Sequence, residues 1–132
     1  MFIIKYYTRD SGKNKVEEVA MIDTYDFGNI VINGQKYTSD VIVYPDQVRS
    51  NWWRREGHRL DPEDIRELVS WRPEVLIVGT GSMGCMKISP ETEELLKSQE
   101  IELIAEPTPR ACQIFNQISA TRRAVAALHL TC

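Results

Sequence analysis

Three stretches of the chain hold residue types that could do chemistry. The first is Gly79-Thr80-Gly81-Ser82-Met83-Gly84, which has the spacing G-x-G-x-x-G. Directly after a strand, such a loop can turn backbone N–H groups toward the phosphates of a nucleotide. Glu106, at the end of the next apolar run, stands where a ribose-binding acid would. Three details count against a dinucleotide. Cys85-Met86-Lys87-Ile88 separates Gly84 from the next helix start at Ser89, whereas the last glycine of the fingerprint already lies in the helix. Glu91, Glu93 and Glu94 would repel a phosphate approaching that helix, and the chain supplies hardly more than one of the two mononucleotide halves. The other reading of these glycines is conformational, with Thr80 and Ser82 bonding locally.

The second stretch is RSNWWRREGHR at 49–59, where Arg49, Arg54, Arg55 and Arg59 face only Glu56. Forked guanidinium donors interleaved with Trp52 and Trp53 are what nucleic-acid grooves and anion pockets use. The plainer alternative is a loop whose tryptophans pack inward while its arginines are solvated. The third group is His58, His129, Cys85, Cys112 and Cys132, which lack zinc-ligand spacing. On a strand His129 and Cys132 point to opposite faces. A reactive thiol needs a base or positive charge nearby. Cys85 is the better nucleophile candidate, against the more common state of a small buried thiol.

These residues must be positioned by the elements around them. FIIKYYT (2–8) and VEEVAMI (16–22) read as strands joined by a turn-forming cluster. Asn33-Gly34 predicts a tight hairpin turn between IVI (30–32) and a long run ending in DVIVYP (40–45), closed by Pro45. Asp61-Pro62-Glu63-Asp64 opens a helix with Asp61 as its cap and Ile65, Leu68 and Val69 as its buried face, and Pro73 ends it. VLIV (75–78) is an apolar strand, Ser89-Pro90-Glu91 starts a helix bearing Leu95 and Leu96, and IELIA (101–105) is the next strand. Thr108-Pro109 starts a third helix with Ala111, Ile114, Phe115 and Ile118 on one stripe, and RAVAALHL (123–130) is a final strand. This alternation predicts an α/β fold: a compact three-layer domain over 1–132, with a central mixed sheet covered by helices. Antiparallel strands of the front half would add at an edge or as an extra layer.

Composition sets the outer limits. The 132 residues match one domain of about 150. With 42% hydrophobic and 27% charged residues the chain is an ordinary globular one rather than a disordered or fibrous one. No stretch reaches the roughly 18 apolar residues of a membrane span, and the N-terminus lacks an export signal, so a cytoplasmic protein without membrane contact is expected. A net charge of −3 makes nucleic acid an unfavoured partner. No metal and no cofactor are expected.

Read together, YTSDVIVYP (37–45), WWRREGHRL (52–60), PEVLIVGTGSMG (73–84) and HLTC (129–132) resemble one known family over about residues 22–132. This is the small domain of unknown function shared by archaeal and bacterial single-domain proteins, an adipogenesis-associated Mth-type domain protein and a mitochondrial assembly factor for respiratory complex I. The resemblance implies a three-layer fold with a central mixed sheet, no established catalysis, and action through binding other proteins. The features it shares are Trp53, Arg54, Gly57, His58, Gly79, Thr80, Gly81, Gly84, His129, Thr131 and Cys132. The leading expectation is therefore a non-enzymatic protein-binding or assembly-type module whose partner is unidentified; self-association is left open. The alternative is a protein or enzyme that takes a small anionic ligand between the Gly79–Gly84 loop, with Thr80, Gly81 and Ser82, and Trp53, Arg54 and His58. Three odd, widely spaced cysteines predict three free thiols in the denatured monomer. A thiol titration that finds fewer, without added oxidant, contradicts this.

Overall fold

The computed structural model describes residues 19–132. The expected strand at 2–8 and residues 16–18 of that expected at 16–22 lie outside the described residues; of 19–22 only Ile22 is in a strand, as its first residue. β1 (Ile22–Asp26), β2 (Asn29–Ile32) and β3 (Gln35–Tyr37) form an antiparallel three-stranded sheet. Asn33 and Gly34 make the two-residue turn between β2 and β3 with φ of 48° and 80°. Two successive positive φ angles give the chain the twist that a tight hairpin needs.

The long strand expected to run from this turn to Pro45 is in fact two. β3 stops at Tyr37, and β4 (Val41–Tyr44) joins a different, five-stranded sheet. The break is fixed by the residues between them. Ser39 Oγ accepts the N–H of Asn51 at 2.9 Å, the carbonyl of Asp40 accepts the N–H of Trp52 at 3.0 Å, and the Asp40 carboxylate accepts the N–H of Leu130 at 2.8 Å. The chain turns at Pro45-Asp46 into β5 (Gln47–Arg49), a short edge strand that hydrophobic patterning does not announce.

After the two-residue strand β6 (Arg59–Leu60), the helix expected from Asp61 is a 3-10 turn, Pro62–Ile65, followed by α1 (Arg66–Trp71). Asp61 stands at the N-cap, as expected, in a capping box with Asp64, whose carboxylate reaches back to the Asp61 N–H at 2.8 Å; the Asp61 carboxylate also accepts from Arg59 Nε at 2.8 Å. Ile65 and Leu68 are buried and Val69 half-buried, as their spacing predicts.

β7 (Val75–Thr80) is buried along its whole length. It leads through β8 (Lys87–Ile88) and α2 (Pro90–Ser98) to β9 (Glu102–Glu106). Ser89 caps α2 by accepting the Thr92 N–H at 3.1 Å. β9 leads through α3 (Thr108–Ile118) back past β7 to β10 (Ala124–His129). The sheet order is β5-β4-β10-β7-β9, with β10, β7 and β9 parallel and β4 and β5 antiparallel to their neighbours. Alternate residues of the central strands fill two cores. Val41, Val43, Val75, Ile77, Ala124, Ala126 and Leu128 meet Phe115 and Ala111 of α3 and Ile22, Ile30 and Ile32 of the small sheet. On the other face Ile42, Tyr44, Leu76, Val78, Val125 and Ala127 meet Leu68 of α1, Leu96 of α2, and Trp52 and Leu60. The architecture is thus mixed α/β in three layers, and the front half supplies both edge strands and part of an outer layer. Replacing Gly34 with Val should cost about 1 kcal/mol or more, because a β-branched residue resists positive φ. An unchanged urea midpoint would contradict the turn.

Candidate functional site

The glycine loop packs the chain against itself. At Gly79 a Cβ would lie 2.8 Å from Thr108 Oγ1 and 2.9 Å from Leu128 Cδ2. At Gly81, φ is +105° and a Cβ would lie 2.7 Å from the carbonyl oxygen of Cys132 and 2.8 Å from that of Thr131. Three of the loop's donors are spent internally. The N–H of Gly81 goes to Thr108 Oγ1 (2.9 Å), that of Ser82 to the Thr131 carbonyl (2.8 Å), and that of Gly84 to the Gly81 carbonyl (3.1 Å). The Met86 N–H goes to the carbonyl of Thr80 (3.0 Å), and Thr108 Oγ1 in turn donates to the carbonyl of His129 at 2.6 Å. A phosphate cradle needs these N–H groups free. Here they hold the strand ends together.

The arginine-rich run is likewise neutralised. Arg49 pairs with Glu67, Arg54 with Asp40 at 2.9 Å, Arg55 with Glu63 at 3.4 Å, and Arg59 with Asp61 at 2.8 Å. The positive excess of the segment is cancelled by acids from elsewhere in the fold, so the spacing of arginines along the chain does not become a basic patch. The two tryptophans part company. Trp52 is buried, with its indole N–H on the carbonyl of Asp64 at 2.9 Å, whereas Trp53 is 81% exposed.

The fold draws together one buried polar cluster from three segments: Asp40 before β4, Arg54 in the loop after β5, and His129 at the end of β10. Asp40 Oδ2 lies 2.9 Å from Arg54 Nη1 and 2.8 Å from His129 Nδ1, while its Oδ1 accepts the Leu130 N–H. Burial alone would raise the Asp40 carboxyl, but hydrogen bonds from His129, the Leu130 N–H and Arg54 hold it below the ordinary carboxylate range. The Arg54 guanidinium sits 4.7 Å above the Trp52 ring and donates from Nη2 to the Gly57 carbonyl at 3.0 Å. Its side chain is 4% exposed.

His58 is exposed, its ring edge-on to that of His129 with 5.9 Å between centroids, and its carbonyl accepts the Lys87 N–H at the start of β8. His129 pairs in register with Thr80. Arg54, His58 and the glycine loop therefore meet at the same end of the sheet, with His129 between them rather than a loop N–H. Asp40 is the member that sequence reasoning missed. Its signal was a lone acid at the head of the apolar run VIVY, a position where a charge needs a partner.

Cys85 and Cys132 are exposed, so Cys85 is not the small buried thiol of the alternative reading; Cys112 is buried, which pushes its thiol up to about 12. Among the described residues no group of three or more His, Cys, Asp or Glu side chains is arranged to hold a metal.

Asp40→Asn should cost about 3 kcal/mol near neutral pH, since it leaves the buried Arg54 without its counter-charge. The folded carboxyl titrates below its unfolded value. Its stabilisation is complete above about pH 4 and is lost as pH falls through the folded value. Urea titrations from pH 7 down to pH 2 should show a shallower acid limb in the variant; equal acid limbs would contradict the pairing.

Three comparisons place this geometry among known proteins. The chain is 26% identical over 113 residues to the NADH dehydrogenase (ubiquinone) 1 alpha subcomplex assembly factor 3 of Xenopus tropicalis, covering 83% of this chain and 60% of that relative. It thus spans less than two thirds of the relative's length. The crystal structure of a conserved hypothetical protein from Pyrococcus horikoshii superposes with a TM-score of 0.73 at 29% identity, over 84% of this chain and 98% of that one. The solution structure of a Mth938-like domain protein from Bordetella pertussis shares the fold with a TM-score of 0.63 at 22% identity, over 96% and 92% of the two chains. The model of a protein family of unknown function, DUF498/DUF598, matches residues 22–130, and the chain belongs to that family.

Proposed function

We propose that this chain is a non-enzymatic, cytoplasmic protein-binding module of the assembly type, and that its partner seats on the end of the sheet where β7 and β10 finish. The observation that carries this reading is Trp53, 81% exposed in a segment whose four arginines are all ion-paired. Exposed tryptophan is the side chain that most often anchors a protein interface, and charges already paired with one another do not compete for a partner's. Two further exposed apolar side chains flank the same end. Met83, 78% exposed, follows Ser82, whose N–H is on the Thr131 carbonyl. Phe27, 62% exposed, precedes Gly28, whose N–H is on the Leu130 carbonyl at 2.9 Å.

A similar protein is named as an assembly factor, which agrees with a role exerted through contacts. Exposed free thiols at Cys85 and Cys132 suit a reducing compartment, and no described helix is long and apolar enough to cross a membrane. The anionic-ligand alternative finds little support, since Arg54 is balanced by Asp40 and the N–H groups of Gly81, Ser82 and Gly84 are occupied.

The test is a Trp53→Ala, Met83→Ala double variant, purified by affinity tag from the source cells beside the parent. Both positions are exposed, so the variant should melt as the parent does, within about 0.5 kcal/mol. It should lose the proteins that the parent retains. Retention of the same proteins by the variant refutes the surface, and recovery of the chain's own second copy alone would replace the partner by self-association.

A further inference from the structure

The five-stranded sheet ends on one side at β5, whose outer edge has no neighbouring strand among the described residues. Tyr44 and Gln47 flank the two-residue turn Pro45-Asp46 as partners, and Ile42 is opposite Arg49. Facing residues of an antiparallel pair exchange hydrogen bonds at alternate positions, and the pair closing a two-residue turn is one that does. Val43 and Val48, which lie between those pairs, therefore do not bond each other. The peptide groups of Val43 turn toward Ala126 of β10, and the N–H and carbonyl of Val48 turn outward, where no described residue meets them. Sheet edges are commonly blunted by lysine, proline or a bulge. β5 carries one charge, Arg49, and Glu67 pairs with it.

Grooves lie on both faces of the sheet at this edge. One, of about 620 Å³, runs between β5 and α1 on the side of the second core; buried Ile42, Trp52 and Leu68 line it together with exposed Arg49, Trp53 and Arg66. The other, of about 210 Å³, runs between β5 and β3 on the side of the first core, lined by Ala20, Ile32, Tyr37, Pro45 and Val48. Successive side chains of a strand point to opposite faces, so a strand added to β5 would drop its side chains into the two grooves by turns. Charge selects among such strands. In the larger groove Glu67 is held by Arg49 and Glu63 by Arg55, and the Asp64 carboxylate accepts the N–H groups of Asp61 and Arg55. Arg66 is exposed and has no acid paired with it among the described residues. We infer that β5 is a strand-addition site: an extended segment of the partner pairs with its outer edge, an acidic side chain meeting Arg66 in the larger groove and apolar side chains filling the smaller one.

This inference rests on the partner-binding reading and says how the partner is held. The probe is a capped seven-residue peptide with valine at the odd positions and threonine, aspartate and threonine between them, beside a second peptide with lysine in place of the aspartate. Each is titrated into the full chain, into Val48→Pro and into Arg66→Glu, and read by 15N amide NMR and hydrogen exchange. Proline is tolerated where a strand's N–H faces outward, and Arg66 is exposed, so both variants should keep the parent's spectrum outside β5 and α1. The aspartate peptide should bind the parent about fivefold more tightly than the lysine peptide, as for one exposed ion pair, and slow exchange of the Val48 N–H about tenfold. Arg66→Glu should reverse the preference, and Val48→Pro should bind neither peptide. No binding to the parent, equal binding of the two peptides, an unchanged preference in Arg66→Glu, or binding that leaves Val48 exchange untouched overturns the site. A Val48 N–H already slow to exchange in the parent alone overturns the partner strand: if protection is independent of concentration the chain's own N-terminal residues cover the edge, and if it rises with concentration a second copy does. Proteins that are lost by the Trp53→Ala, Met83→Ala variant but kept by Val48→Pro would overturn strand addition and leave the partner-binding reading standing.

Discussion

The carboxylate of Asp40 is the point on which this structure turns. It binds Arg54, His129 and the Leu130 N–H, and so ties together three segments far apart in sequence: the crossing between the two sheets, the loop carrying Trp53, and the end of β10. Taking a carboxylate out of water is costly unless its lone pairs are all met by donors. Here Oδ2 faces both Arg54 and His129 while Oδ1 accepts the Leu130 N–H, and the same pairing removes Arg54 from the surface. The charge pattern of the neighbouring loop follows, since an arginine that would be free in solution becomes an internal counter-ion.

Much of the fold was legible because its signals are local. The Asn33-Gly34 turn, the Ser89 cap and the apolar runs of β7 and β10 each depend on a few adjacent residues, and each stands where the sequence puts it. The errors arose where a distant residue decides. Nothing near Tyr37 says that the chain leaves one sheet for another, because the reason is an N–H on Leu130. The site was legible in the same uneven way. Arg54, His58 and the glycine loop were each visible by residue type, but Asp40, which organises them, is a single acid with no motif around it.

The glycine loop shows why a phosphate-binding spacing need not bind phosphate. The spacing records where a backbone must approach something closely, and not what it approaches. In a nucleotide site that neighbour is the ligand. Here it is the protein's own carbonyls at Thr131 and Cys132 and the side chain of Thr108. The loop is then a clasp for the C-terminal segment, and the exposed Met83 at its tip is free for other contacts. The exposed side chain of Trp53 follows the buried Trp52 and precedes Arg54, whose guanidinium pairs with Asp40, so one short segment presents an apolar side chain outward and a charge inward.

The position of β10 has a consequence for how the molecule is made. It is the last strand in sequence but lies in the middle of the sheet, between β4 and β7. During synthesis from the N-terminus, β4 and β7 therefore emerge as strands with unpaired edges, and each stays open until β10 has left the ribosome. The small sheet waits as well, since Tyr25 and Gly28 both bond to the carbonyl of Leu130, a separation of 105 residues for the tyrosine. Contacts of such range form late, and open apolar edges invite aggregation in the interval. Until β10 arrives, the central sheet of this chain is itself open to unwanted pairing.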